Sequence, residues 1–272
     1  MTSAVVQLIS LVSFGNEFLK EGILSKDFYT DKNFQDDNIK FIDFEKSIVT
    51  RLVREVIIAG DPDKWFAFLK KDGCKSLKIL FQYSSDNPNR DYALSSFVGG
   101  GGMWLIEAVY ENYSNYWTSK WEVISKKPDP TIWSVKYGAV AKKQPKSSPD
   151  LNLIEAKKEL LEILDSISNF AYKYTFPYWG NAFKKASSNL NNPNPTISIN
   201  RIIEKNYSSV AKQILFSVEA AWVFGGMASW NDWSFDDKEV NKQYNELTKK
   251  LYDVIVRSIV ASINSEHYPL IA

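Results

Sequence analysis

The chain is poor in the residues that most often carry chemistry. Its 272 residues include one cysteine, Cys74, and one histidine, His267. A lone cysteine closes no intrachain disulfide, which excludes the cross-linked framework of small secreted domains. Zinc sites built from histidine and cysteine have no ligands to draw on, and a histidine-dependent triad would have to be assembled from a chain end. Cys74 stands in Lys71-Asp72-Gly73-Cys74-Lys75, where two lysines could lower a thiol pKa. With no histidine to pair with, the sequence favours a structural cysteine at a turn edge over a nucleophile. An excess of charge of one sign is missing as well. The 33 basic and 32 acidic residues leave +1, without the positive surface a general nucleic-acid binder needs. No apolar run reaches the length that spans a bilayer. The apolar stretch from Ala4 to Phe14 has no basic residue before it, and Ser3, Gln7, Ser10, Glu17 and Lys20 recur through and around it at helical spacing. It reads as an amphipathic first helix, with Val5, Leu8, Ile9, Val12 and Leu19 inward, rather than a signal peptide. A cytoplasmic protein without membrane or nucleic-acid partners is the expectation.

What the chain does have is aromatic rings: 9 Trp, 14 Tyr and 16 Phe, against 3 Met. Core and contact area must lean on these rigid side chains. Between Ala141 and Asp150, Pro145 and Pro149 punctuate a run without a large apolar residue, the best linker candidate. The expected fold is α+β: an α+β domain over 1–141, a linker over 142–149 and a helical domain over 150–272. In the first part, Asp43 to Ala59 shows a helical pattern through Phe44, Ile48, Leu52 and Ile57, closed by Gly60-Asp61-Pro62. Trp65 to Leu69 fits a short helix or a strand. Strands are expected at Ser76–Tyr83, Met103–Tyr110, Tyr116–Ile124 and Ile132–Ala141; short turns between the last three favour an antiparallel meander. Trp117, Ser119, Trp121 and Val123 share one face, as do Trp133, Val135 and Tyr137; such a face packs against helices. In the second part, amphipathic patterns mark helices at Leu153–Tyr174, Trp179–Leu190, Ile199–Phe224 (interrupted near Asn206) and Phe235–Ile263, which suggest a bundle.

Two motifs stand out. Gly99-Gly100-Gly101-Gly102-Met103-Trp104 lacks the lysine of a phosphate loop and opens a strand, so it reads as a loop where backbone approaches backbone closely. With no ligand set of histidine and cysteine either, no metal or cofactor is expected. The second motif joins the last two helices: Trp222-Val223-Phe224-Gly225-Gly226-Met227-Ala228-Ser229-Trp230-Asn231-Asp232-Trp233. Gly225-Gly226 would end a helix in left-handed geometry, and Asp232 or Ser234 could cap the next. The segment reads either as an aromatic plug or as a presented Trp-Asn-Asp surface. In the second case Trp230 is the anchor, Asn231 and Asp232 are polar contacts, and Gly225 and Gly226 supply the backbone geometry. Carboxylates are the remaining catalytic material. Asp36/Asp37, Asp61/Asp63, Asp232/Asp236/Asp237, and Asp232 with Glu219 are the candidate groups.

Val223-Phe224-Gly225-Gly226-Met227 followed by Ser229-Trp230-Asn231-Asp232 resembles a motif of the immunity proteins of polymorphic toxin systems, small helical bacterial proteins. The similarity covers roughly the last quarter of the chain, including the Tyr244–Ile259 helix, and Ala228 stands where that pattern has glycine. The resemblance implies a cognate protein toxin as partner, neutralised by steric occlusion rather than by catalysis. A carbohydrate-active hydrolase using paired carboxylates and Trp platforms is an alternative. A scaffold protein without a small-molecule site is another.

Overall fold

The computed structural model describes residues 1–35, 38–46, 53–85, 90–97, 100–125, 132–148, 152–194, 201–225 and 227–265. The chain begins with α1 (Ser3–Glu21), α2 (Lys26–Tyr29) and α3 (Lys32–Gln35), then β1 (Asn38–Lys46), β2 (Val53–Ala59), α4 (Pro62–Lys71) and β3 (Ser76–Gln82). It continues through α5 (Asp91–Leu94), β4 (Met103–Val109), β5 (Ser114–Ser125) and β6 (Ile132–Gln144). The remainder holds α6 (Leu153–Lys173), α7 (Pro177–Asn189), α8 (Arg201–Asn206), α9 (Ser209–Ala221), a 3-10 turn at Trp230–Asp232, and α10 (Lys238–Asn264). None of the described helices is long and apolar enough to cross a membrane.

Two units are distinct. The first comprises Ser3–Gln82 and Met103–Ser148; the second comprises Met1–Thr2, Tyr83–Gly102 and Pro149–Ala272. The sheet of the first unit has the order β2-β1-β6-β5-β4-β3. The expected antiparallel meander is present in β4, β5 and β6, and β3 extends it by pairing antiparallel with β4. The whole sheet is nonetheless mixed, because β1 joins β6 in parallel and β2 returns antiparallel to β1. The helix expected over 43–59 is therefore a correction: its described residues form the β1–β2 pair. Phe44 and Ile57, read as inward helical positions, are exposed, and Ile48 and Leu52 lie outside the described residues. The dense β-branched residues of Val53, Val56, Ile57 and Ile58 favour a pleated strand over a helix, where their stiff side chains crowd the preceding turn. The closing Gly60-Asp61-Pro62 instead starts α4: Asp61 accepts a cap bond from the Lys64 N–H at 3.1 Å and Pro62 occupies the first turn. That settles Trp65–Leu69 as helix.

The core of this unit is a column of rings. Phe41 stacks on Trp65 at 4.2 Å and on Tyr137 at 5.3 Å, and Trp117 meets Trp65 edge-on at 5.4 Å. Trp117, Val135 and Tyr137 are buried as their shared faces imply, whereas Val123 at the far end is exposed. The amphipathic reading of α1 needs correction in part: Ser3 and Lys20 are exposed, but Gln7, Ser10 and Glu17 are buried with the apolar residues. Gln7 accepts from the Tyr137 hydroxyl at 2.9 Å and donates to the Asn33 carbonyl at 2.9 Å. Glu17 accepts from the Ser25 N–H at 3.3 Å. Asn16 accepts from the Leu77 N–H at 2.7 Å and donates to the Leu77 carbonyl at 3.0 Å, so its carboxamide substitutes for a neighbouring strand on edge strand β3. A buried helix with paired polar groups can carry the same spacing as a surface helix, which is why periodicity alone misread it.

The residues expected to form a linker belong in part to the first unit. Strand β6 continues to Gln144, the Tyr116 hydroxyl donates to the Pro145 carbonyl at 2.8 Å, and Ser147 is bound to the buried Glu107. In the second unit α6 packs on α7, α9 and α10, and α9 packs on α7 and α10. Their buried faces include Leu160, Leu164, Ile167, Phe183, Ile214, Val218, Leu251, Ile255 and Ile259. The expected interruption near Asn206 is the α8–α9 junction, where Ser208 caps α9 through the Ala211 N–H at 3.2 Å.

Candidate functional site: the aromatic turn before the last helix

The motif between α9 and α10 folds around one indole. Trp230 is 1% exposed, and its Nε1–H donates to the Thr248 hydroxyl at 2.9 Å. Phe183 at 5.1 Å and Tyr244 at 5.2 Å enclose the ring, with Trp179, Phe170 and Phe176 between 6.2 and 6.5 Å. The Tyr244 hydroxyl donates to the Trp230 carbonyl. Burial first of all pushes the Tyr244 phenol well above its ordinary range, so this donor keeps its proton. Trp230 is thus placed inside the second unit and offers no surface to a partner in this conformation.

The polar residues of the motif hold its own backbone. Asn231 accepts from the Gly225 N–H at 3.0 Å, and Asp232 accepts from the Ala228 N–H at 3.0 Å. Gly225 has Ser229 so close that a Cβ would sit 2.1 Å from the Ser229 hydroxyl oxygen and 3.2 Å from its Cβ, so a larger residue there would have to turn the Ser229 hydroxyl aside. Gly226 lies outside the described residues. Gly225 is not in the left-handed conformation, whereas Ala228 is, with φ 65°. The cap of α10 is neither Asp232 nor Ser234 but Asp237, which accepts from the Glu239 and Val240 N–H groups at 2.9 and 3.0 Å. Left-handed alanine is strained by roughly 1–2 kcal/mol, part of which glycine loses again through its freer unfolded chain. Ala228→Gly is therefore expected to raise stability by about 0.5–1 kcal/mol in chemical denaturation. An unchanged or lower midpoint would show that the strain is not there.

What faces outward is a different set of side chains. Met227 is 93% exposed and Trp233 43%, with Trp233 edge-on to Phe176 at 4.9 Å. Tyr178, 74% exposed, meets Trp179 at 5.0 Å, and Trp179 in turn touches the Trp230 cluster. Sequence reasoning missed Tyr178 and Trp233. The available signal was the number of tryptophans, since one cavity accommodates Trp230 and the others must go elsewhere.

The other candidates have local duties. Asp61 caps α4, and Asp63 titrates above the usual carboxylate range, chiefly through its hydrogen bond with Asp61 and then through partial burial. Asp36 and Asp37 lie outside the described residues. Glu219 acts electrostatically on the Met1 ammonium group. No group of three or more metal-binding side chains occurs among the described residues. Gly101 and Gly102 have φ 76° and 89°, and a Cβ on Gly100 would lie 2.3 Å from the Leu94 carbonyl, so the glycine run is a close-approach loop. Gly99 lies outside the described residues.

Cys74 is buried, its thiol facing the Ser76 and Val109 carbonyls at 3.4 and 3.6 Å. Burial pushes the thiol from its ordinary 9.0 up to about 12. A thiol reagent at neutral pH should react with Cys74 only after unfolding; fast stoichiometric labelling of the native protein would contradict this. The unfolded chain ionises this thiol near 9 while the folded chain holds its proton. Its contribution to stability is therefore complete below about pH 9 and is lost as the pH rises toward 12. No family model, curated protein or solved structure matches this chain.

Proposed function

We propose that this protein is a cytoplasmic, non-enzymatic immunity protein that binds one bacterial protein toxin and blocks it by steric occlusion. The observation that carries the reading is a turn held from within that leaves Met227 and Trp233 turned out. Trp230, Asn231 and Asp232 fix the loop from within, while Met227 and Trp233, with Tyr178 on α7, remain exposed. A surface held in one conformation before binding avoids the ordering cost of association. Exposed aromatic and methionine side chains are the types that supply most interface energy. The motif's resemblance to immunity proteins supplies the class of partner. In this reading Trp233, Met227 and Tyr178 make the contact, and the Trp230-Asn231-Asp232 core presents them.

The test begins with the neighbouring reading frame: if it encodes a secreted protein with a toxin-like C-terminal domain, that domain is the binding partner to use. Trp233→Ala is expected to weaken its binding about thirtyfold, near 2 kcal/mol, while the melting temperature stays within a degree or two of the parent. Unchanged affinity in Trp233→Ala, Met227→Ala and Tyr178→Ala would remove the docking role from this end of the helical unit. Absence of any binding or protection by the unaltered protein would remove the immunity reading itself.

A further inference from the structure

The turn that precedes the glycine run contains a buried carboxylate with half of its bonding capacity unused. Asp91, at the start of α5, is 1% exposed. Its Oδ2 accepts from the Ser84 N–H at 3.0 Å, but its Oδ1 has no hydrogen-bond partner. Among the described residues, the other buried side-chain atoms in that condition are hydroxyls, indoles and an amide. The distinction matters because an unpaired buried charge is far costlier than an unpaired hydroxyl.

Nearby basic groups do not meet this charge. Lys249 pairs with Asp253 at 3.0 Å, and Arg257 pairs with Glu159 at 3.0 Å. The Arg90 side chain is exposed. Around Asp91 the chain instead supplies oxygen. Gly101 packs so tightly on this turn that a Cβ would lie 2.8 Å from the Asp91 carbonyl and 2.5 Å from the Ser95 Cα. The Gly101 carbonyl accepts from the Tyr252 hydroxyl at 2.6 Å and keeps a second lone pair. Ser96, the next residue along, has a buried hydroxyl without a partner. Asp91 also acts on the Tyr252 and Tyr83 phenols, adding to the burial that already holds both above their ordinary range.

We propose that the Asp91 turn is a binding site for an alkali cation, sodium or potassium, held by Asp91 Oδ1 with the Ser96 hydroxyl and the Gly101 carbonyl. Carboxylate, hydroxyl and carbonyl oxygens form a hard donor set. One carboxylate among neutral oxygens matches a single positive charge, whereas tight calcium sites combine several carboxylates. The glycines serve this arrangement by bringing loop backbone against the Asp91 turn. The proposal is independent of the toxin-binding reading, since it concerns a different part of the second unit.

The test is thermal unfolding of the full chain in sodium, potassium, calcium and tetramethylammonium chloride at matched ionic strength. Sodium or potassium should raise the melting temperature saturably, by about 3 °C at tenfold excess over the dissociation constant, relative to tetramethylammonium. Asp91→Asn should abolish the difference between the salts, and Ser96→Ala should shift the half-saturating concentration upward. Equal melting in all the salts would overturn the proposal, because it needs no variant to fold. So would a response confined to calcium, or a sodium response that persists in Asp91→Asn.

Discussion

Trp230→Ala is expected to cost about 3–5 kcal/mol of folding stability, a large share of what a natural domain possesses. The ring is almost wholly buried, five aromatic neighbours lie within 6.5 Å, and the Thr248 hydroxyl would lose its donor. Neighbouring rings are rigid and cannot collapse to fill a cavity of that size, which places the variant at the upper end of core truncations. Trp230→Phe separates the contributions. It keeps most of the volume but orphans Thr248, for an expected loss of about 1–2 kcal/mol. Urea unfolding of both variants measures the difference. A loss below about 1 kcal/mol in Trp230→Ala would mean that the turn packs on its neighbours far less tightly than the ring distances imply. Comparison with Trp233→Ala then separates the two tryptophans: Trp230 should move stability, and Trp233 should move partner affinity.

The four meander strands and the long helices were legible because each has one dominant period and clear punctuation. Pro177, the Asn191-Asn192-Pro193 break and the strand-rich stretch after Gly102 all act locally, and the structure follows them. The β1–β2 region was misread for a physical reason. Phe44, Ile48, Leu52 and Ile57 do fall at helical spacing, but the intervening β-branched residues and the pairing with β6 override it. Strand β1 pairs with a segment nearly a hundred residues away, a contact no local window contains. Polar residues of α1 misled in the same way. Gln7 and Glu17 look like part of a solvent stripe until their partners, Tyr137 and Ser25, are known.

The candidate site was legible in its location and not in its division of labour. Three tryptophans and a tight glycine marked the turn, and the structure places a dense aromatic cluster there. Which indole faces inward depends on Phe183, Tyr244 and Thr248, which lie on α7 and α10, so the motif by itself could not separate Trp230 from Trp233. The strain at Ala228 shows the same dependence. The left-handed conformation expected at Gly225 is found three residues later, at Ala228, in a loop that Asn231 and Asp232 hold.

Glu107→Ala is expected to cost about 4 kcal/mol, and here the argument rests on polar groups rather than on rings. The carboxylate is fully buried in β4, and among the described residues no basic side chain lies at bonding distance. It accepts from the Ser114 hydroxyl at 2.7 Å, the Ser147 N–H at 2.8 Å and the Ser147 hydroxyl, with the Tyr116 hydroxyl 3.3 Å away. Hydrogen bonds to a charged acceptor contribute roughly 1.5–3 kcal/mol each, and a donor left buried without its acceptor costs about as much. Alanine removes the acceptor for all of these at once, so the backbone at Ser147 must find water and the 145–148 segment must lift from the sheet. Glutamine behaves differently. Its carbonyl oxygen can take the Oε1 position and keep Ser114 and the Ser147 N–H, while the Ser147 hydroxyl rotates to accept from the new amide. Only the charge assistance is lost, so Glu107→Gln should cost about 1–2 kcal/mol. Hydrogen exchange at the Ser147 amide distinguishes the two: protection should survive in the glutamine variant and vanish in the alanine one. Full protection of Ser147 in Glu107→Ala would mean that something other than this carboxylate holds the segment in place.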